Sequence, residues 1–224
     1  MVFWSQFLIN IMSSYLIFTN QKTKKRLVFY PVPKNANTST KLFFAKHLGI
    51  DKDYVFLSDD KPEYQFRDNM YEILKDKKNL LNFFPLKQKF STVDAEEKCC
   101  IIRDPIKRFL SAYKNRILYH QDLEFNNHSI DMIIEKLESS NFENQHFLPQ
   151  NYFLGNDLNY FTIVGDTNNM KNFVNGVNNF FEKNVEFPKL QTGGNKEAVN
   201  LSNLQITKIK QIYKDDYLLL DKYL

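Results

Sequence analysis

The chain has 224 residues, of which 43% are hydrophobic and 15% aromatic, and it carries a formal net charge of +4 at pH 7. This composition excludes a disordered chain, because the apolar residues suffice for one sizeable core, and the length favours a single domain over residues 1–224. The positive charge is compatible with an anionic ligand, but it is too weak and too scattered to indicate nucleic acid as a partner.

The N-terminal segment, residues 1–20, is apolar but interrupted. Polar residues occur in it at Ser5, Gln6, Asn10, Ser13 and Ser14. A membrane span needs about 20 nearly uninterrupted apolar residues, and a signal peptide begins with positive charge, whereas here the basic residues follow at 22–26. We therefore expect a helix over residues 1–20 that is buried or peripheral to the domain, and no stable membrane span. A membrane anchor is the alternative, and it would place the protein at a membrane or in a lumen.

A strand that turns abruptly into a helix is predicted next. Residues 27–32 are apolar and predict the strand, and the helical pattern runs from about residue 38 to residue 48, with Gly49 as a natural C-cap. At such a turn the first N–H groups of the helix have no backbone partner, and together with the helix dipole they favour an anion.

The loop between this strand and helix carries further groups that bind anions. Lys34 supplies a mobile positive charge. Hydroxyl donors lie beside the helix start at Thr38, Ser39 and Thr40. The loop differs from the Walker nucleotide pattern, because its lysine comes first and it contains no glycine. The residues therefore indicate either a phosphate- or sulfate-binding loop or a helix that is simply capped by Thr38 or Ser39.

Strands and helices alternate along the rest of the chain. Further strands are predicted at residues 54–57, 98–103 and 160–164, and helices at about 67–77, 105–119, 129–137, 170–183 and from 202 onward. This alternation implies an α/β fold with a central parallel sheet and helical crossovers. The two cysteines, Cys99 and Cys100, are neighbours in an apolar strand and point to opposite faces, so no disulfide is expected between them and we expect a cytoplasmic protein.

A second anion-binding pattern begins where the strand at 98–103 ends. Arg103 lies at the carboxyl edge of the sheet, where ligands of open α/β sheets collect, and Pro105 opens the following helix. Ser111, two turns along this helix, could bind one anion together with Arg103. We expect Asp104 to cap the helix and Arg108 to be structural, paired with Asp104 or another carboxylate.

Together these two segments resemble the sulfotransferases that use 3′-phosphoadenosine 5′-phosphosulfate (PAPS), and most closely their carbohydrate branch. Residues 33–39, Pro-Lys-Asn-Ala-Asn-Thr-Ser, are similar to the 5′-phosphosulfate loop of that family. Residues 103–113, Arg-Asp-Pro-x-x-Arg-Phe-x-Ser-Ala-Tyr, are similar to its 3′-phosphate motif. The resemblance extends more loosely to a His-x-x-Pro-Gln element at 146–150 and to the closing helix, whereas residues 51–98 match no known element.

The resemblance implies a single domain with the P-loop-NTPase-like sulfotransferase fold, a central parallel sheet flanked by helices. It implies transfer of a sulfuryl group from PAPS to an acceptor hydroxyl, with a carbohydrate as the expected acceptor and no metal. Lys34 would contact the oxygen between sulfur and phosphorus, and Arg103 with Ser111 would bind the 3′-phosphate. The cofactor-binding residues implied are Lys34, Asn35, Ala36, Asn37, Thr38, Ser39, Thr40, Arg103 and Ser111.

The acceptor hydroxyl needs a base, and His146 is the first candidate among the four histidines, because a neutral imidazole takes up a proton near pH 7. A surface or substrate-orienting histidine is the alternative for this residue. Other possible bases are Glu63, Glu143, His120 and His128. Lys196, in a Gly-Gly loop, could close over the cofactor or be solvated.

Two other functions stay open beside sulfuryl transfer. An ATP-dependent kinase of related topology would need a Gly-Lys-Ser/Thr loop and a magnesium-binding aspartate, and the sequence shows neither. A non-catalytic nucleotide-binding or scaffold protein with the same fold is the other possibility, although Lys34, Arg103 and Ser111 are all retained. The sequence gives no indication of the oligomeric state.

Overall fold

The computed structural model describes residues 7–12, 15–20, 22–49, 89–125, 128–139, 144–188 and 198–223. Within these residues, one mixed sheet has the strand order β1-β2-β3-β4-β5. The strands are β1 Phe7–Met12, β2 Tyr15–Asn20, β3 Arg26–Tyr30, β4 Glu97–Ile102 and β5 Ile163–Asp166. Neighbours are antiparallel from β1 to β3 and parallel from β3 to β5. The predicted α/β fold with a parallel sheet is therefore confirmed, with an antiparallel hairpin added at one side.

The helix predicted over residues 1–20 is wrong where the structure describes that segment. β1 and β2 form an antiparallel hairpin in which Met12 pairs with Tyr15, and β2 in turn pairs with β3. The side chains from Tyr15 to Phe18 are all buried. A strand that is covered on both faces is apolar without alternation, so its pattern cannot be told from that of a buried helix. In the described part of the chain no helix is long and apolar enough to cross a membrane.

Seven helices are described, and three short helical segments of other types accompany them. The α-helices are α1 Asn37–Leu48, α2 Pro105–Tyr113, α3 Ile130–Glu138, α4 Gln150–Leu154, α5 Lys171–Phe181, α6 Asn203–Ile212 and α7 Lys214–Leu220. A π-helix continues α2 over Lys114–Tyr119, and 3₁₀ turns occupy Leu123–Phe125 and Leu158–Tyr160. The strand predicted at 160–164 begins later than expected, because Asp157 caps the second 3₁₀ turn through the N–H of Asn159 at 2.8 Å. The strand predicted at 54–57 and the helix at 67–77 lie outside the described residues.

Local end signals account for several helix boundaries. Gly49 ends α1 in the left-handed conformation with φ 69°, which a residue without a side chain adopts at little cost. Ser129 caps α3, and Ser202 forms a capping box with Gln205 at the start of α6. The closing helix predicted from residue 202 is divided, because Tyr213 leaves the helical conformation between α6 and α7.

Alternate residues of the strands face two separate cores. Leu27, Phe29, Cys99 and Ile101 pack with α1 and α5 on one face of the sheet. The residues between them pack with α4 and α7 on the other face, and they include Val28, Tyr30, Cys100 and Ile102. Both cysteines are buried and free, as expected. A third cluster joins α2, α3 and α6 beside the sheet.

The parallel pairing of β3 with β4 positions the candidate site. Tyr30, the last residue of β3, pairs with Cys100 close to the end of β4. The chain segments that follow these two strands therefore leave the sheet at the same edge. In open α/β sheets this carboxyl edge is where ligands bind.

Candidate active site

The loop from β3 to α1 makes its sharp turns without glycine. Lys34 and Ala36 both adopt left-handed backbone conformations, with φ 71° and 57°. The N–H of Asn35 closes the turn on the carbonyl of Val32 at 3.1 Å. Such conformations cost about 1–3 kcal/mol each in residues other than glycine and cluster at functional sites. The presence of two strained residues within three positions therefore favours a functional role for this loop.

The N-terminus of α1 is open toward this loop. Ala36 precedes the helix, no side chain caps its first turn among the described residues, and that turn contains no acidic residue. Thr38 and Ser39 lie inside the first turn, so the capping role considered for them is not what the structure shows. The hydroxyl of Thr40 donates back to the carbonyl of Ala36 at 3.0 Å and its side chain is fully buried, so it supports the helix start. These features suit an anion at the helix end.

The two predicted anion-binding segments are in direct contact. The Nη1 atom of Arg103 donates to the carbonyl of Lys34 at 2.8 Å. Burial, followed by the positive charge of Arg108, lowers the pKa of Arg103, while Asp104 acts in the opposite direction. A guanidinium has five N–H donors, so Arg103 retains donors for an anion while it holds the loop.

A buried glutamine joins the same two segments. The Oε1 atom of Gln150 accepts from Asn35 Nδ2 at 2.7 Å and from the N–H of Arg103 at 3.1 Å. Its Nε2 atom donates to the carbonyl of Arg103 at 2.7 Å. Asn35 Nδ2 also donates to the carbonyl of Ile101 at 2.7 Å. The side chain of Asn35 thus fixes the loop to the end of β4.

Arg108 is structural, as expected, but its partners are not the ones predicted. Its side chain is 1% exposed and donates from Nε to the carbonyl of Pro33 at 2.9 Å and from Nη1 to that of Leu148 at 2.6 Å. Asp104 instead caps α2, accepting from the N–H of Lys107 at 2.8 Å. Burial lowers the pKa of Arg108, and the charge of Asp216 acts in the opposite direction with a smaller effect.

His146 lies in a positively charged part of the site. Burial, and then the positive charges of Lys34, Arg116, Arg108 and His120, lower the pKa of His146 to about 3. Its Nδ1 atom is buried without a hydrogen-bond partner among the described residues. The imidazole of His146 is therefore neutral at pH 7 and feels the charge of Lys34, but this low pKa makes it a weaker base than the sequence suggests.

For the remaining predicted residues, the structure gives fewer contacts with the site. Ser111 is half-buried on α2. His120 follows the π-helix and adds to the positive charge near His146, and His128 precedes α3, where its carbonyl accepts from the hydroxyl of Tyr113 at 3.2 Å. Predicted residues outside the described part of the chain are Glu63, Glu143 and Lys196.

Three residues of this site were not predicted for the parts they take. The sequence marks Gln150 only as the last residue of the His-x-x-Pro-Gln element, places Asp216 only in the closing helix, and gives no signal for Arg116. Arg116 lies on the π-helix and forms an ion pair with Asp122. Among the described residues, no group of three or more His, Cys, Asp or Glu side chains could hold a metal ion.

Comparison with known proteins identifies the family. Searches of curated proteins and of solved structures gave no significant match. A family model described as the sulfotransferase family matches residues 18–223, which include the loop after β3, the Arg103 segment and all of the helices described above. Because this match covers far more than half of the chain, the protein belongs to the sulfotransferase family, whose members are enzymes that transfer sulfate.

Proposed function

We propose that the protein transfers a sulfuryl group from PAPS to a hydroxyl group of an acceptor, with a carbohydrate as the first acceptor to test. The observation that carries the proposal is the contact of Arg103 with the carbonyl of Lys34 at 2.8 Å. It joins the two segments that follow β3 and β4, each of which carries a cationic side chain. PAPS carries anionic groups at both the 3′ and the 5′ position, which these two segments could bind together.

The residues at the start of α1 fit the 5′ end of this donor. The N–H groups at the start of α1 and the hydroxyl of Thr38 would bind phosphate and sulfuryl oxygens. Lys34 would neutralise the charge that develops on the oxygen between phosphorus and sulfur as the bond from this oxygen to sulfur breaks. Arg103, with its remaining N–H donors, would bind the 3′-phosphate, and Ser111 is proposed to assist it.

His146 is the proposed base for the acceptor. In the transfer, the acceptor oxygen forms the new bond to sulfur, the bridging oxygen keeps the electrons of the broken bond, and His146 takes the hydroxyl proton. The positive side chains around His146 make its imidazole a weak base. Negative charge from a bound donor would offset them and strengthen this base, so proton transfer would be tied to donor binding.

A product screen tests the proposal. The protein is incubated with PAPS carrying labelled sulfate and with a panel of glycans, lipids and small alcohols, and labelled products are separated from the donor. Transfer to a glycan hydroxyl is expected. Transfer to none of the acceptors, together with tighter binding of ATP than of adenosine 3′,5′-bisphosphate or a magnesium requirement, would favour the kinase alternative.

A further inference from the structure

Gln150 is a buried polar side chain at the site whose amide oxygen and nitrogen are both hydrogen-bonded. It is fully buried, and its amide makes hydrogen bonds to both of the segments assigned to donor binding. Its amide oxygen accepts hydrogen bonds from Asn35 and from the N–H of Arg103, and its amide NH₂ donates to the carbonyl of Arg103. These bonds require an acceptor and a donor on the same planar group, which only an amide of this length supplies.

The backbone of Gln150 is held as firmly as its side chain. Asp216 on α7 accepts from the N–H of Gln150 and from that of Asn151, each at 2.8 Å. Both carboxylate oxygens thus fix the first residues of α4, and Asp216 is itself fully buried. Asp216 on the closing helix therefore fixes the backbone of Gln150, and the side-chain amide of Gln150 contacts the loop after β3.

We propose that Gln150 is a positioning residue for the transfer reaction. It sets the spacing between the loop that carries Lys34 and the end of β4 that carries Arg103, so that both anionic ends of the donor are bound at once. The inference rests on the proposed function. Misplacement of binding groups by about 1 Å can cost as much as 100-fold in rate, so one buried amide at this junction is enough to matter.

A merely structural amide would behave differently from a positioning one. If Gln150 only stabilised the fold, its loss would reduce the folded fraction and would leave the ligand preference of the folded molecules unchanged. If it sets the spacing, its loss weakens the benefit of binding two ends together, while binding at one end alone is retained. The ratio of affinities for a ligand with the 3′-phosphate and one without it separates the two roles.

The experiment compares adenosine 3′,5′-bisphosphate with adenosine 5′-monophosphate by calorimetry in the folded protein. In the unmodified protein we expect the bisphosphate to bind more tightly. In Gln150→Met, which keeps the volume and removes the hydrogen bonds, the dissociation constant of the monophosphate should change less than twofold while that of the bisphosphate rises about tenfold. Asn151→Ala is the matched control on the same helix, because its side chain contacts only Asn156 among the bonds described, and it should preserve the preference.

Gln150→Glu serves as a second variant in case Gln150→Met does not fold. A carboxylate keeps both accepted hydrogen bonds but sets an oxygen against the carbonyl of Arg103, where the two acceptors repel, so a loss of the bisphosphate preference is again expected. A full preference in a folded Gln150 variant would overturn the inference and leave the proposed function intact. Absence of any preference in the unmodified protein would instead count against PAPS as the donor.

Discussion

Replacement of Arg108 by methionine should destabilise the protein more than any surface substitution on α2. The guanidinium is 1% exposed and holds two carbonyl groups, those of Pro33 and Leu148, from segments far apart in the sequence. Methionine fills a similar volume without a donor. Both carbonyls then lose their charged partner, and Asp216 loses the positive charge that acts on it.

The magnitude follows from these contacts. A hydrogen bond to a charged group contributes about 1.5–3 kcal/mol, and Arg108 donates two such bonds. We therefore expect the free energy of unfolding to fall by about 4 kcal/mol and the melting temperature to fall by about 8–16 °C for a chain of this length. Lys107→Met is the matched control, because this neighbouring side chain is exposed and makes a long contact of 3.5 Å with Asn168.

The pH dependence of this loss gives a second readout. Burial raises the pKa of Asp216, while Arg108 and the N–H groups of Gln150 and Asn151 lower it, so the Arg108→Met substitution raises that pKa further. When a folded-state pKa lies above the unfolded value, the folded state binds more protons between the two values and stability falls as the pH rises through that window. The free energy of unfolding lost in Arg108→Met should thus be larger at neutral pH than at a pH below the usual pKa of aspartate. Urea unfolding at several pH values measures it, and an equal loss for Lys107→Met would refute the reasoning.

Three further predictions concern the proposed transfer. Lys34→Ala should abolish sulfate transfer while adenosine 3′,5′-bisphosphate still binds measurably, because the lysine acts on the breaking bond; an active variant in the labelled-sulfate assay would contradict this. Arg103→Ala should chiefly weaken binding of the bisphosphate, by about tenfold or more for a lost bidentate contact, and an unchanged dissociation constant in calorimetry would refute that role. His146→Gln should lower turnover with little change in the KM for PAPS. Since burial and nearby cations lower the pKa of His146 to about 3 from 6.5, the unfolded chain binds more protons between these values, and the variant should lose less stability than the parent as the pH falls through this window. Full turnover in His146→Gln would place the base elsewhere.

The elements that carry their own end signals could be predicted from the sequence. β3, α1, β4 and α2 lie within two residues of their predicted ends, apart from the π-helix that continues α2, because apolar runs there meet proline, glycine or a capping residue. Asp104, Ser129 and Ser202 cap helices through bonds to residues close by in the chain. The N-terminal hairpin could not be foreseen in this way, because β2 is a strand through its pairing with β1 and β3, and composition does not encode a partner.

The same distinction applies to the site. The loop with Lys34 and the segment with Arg103 each show their chemistry in a short run of sequence, and their closeness follows from the parallel strands. The contacts of Gln150 with Asn35 and of Arg108 with Pro33 join residues that are 115 and 75 positions apart. Nothing in a local pattern specifies such pairs, so the groups that hold the site together were less visible than the groups that face a ligand.

The glycine-free loop after β3 has a consequence for the proposed binding of an anion. Prolines at positions 31 and 33 and side-chain-bearing residues at 34–36 restrict the unfolded chain, so less conformational entropy is lost when this segment folds than in a glycine-rich loop. The free-energy cost of the left-handed conformations at Lys34 and Ala36 is incurred when the chain folds and not when a ligand binds. Such a loop is preorganised, so ordering of the loop on ligand binding reduces the affinity for a ligand only little.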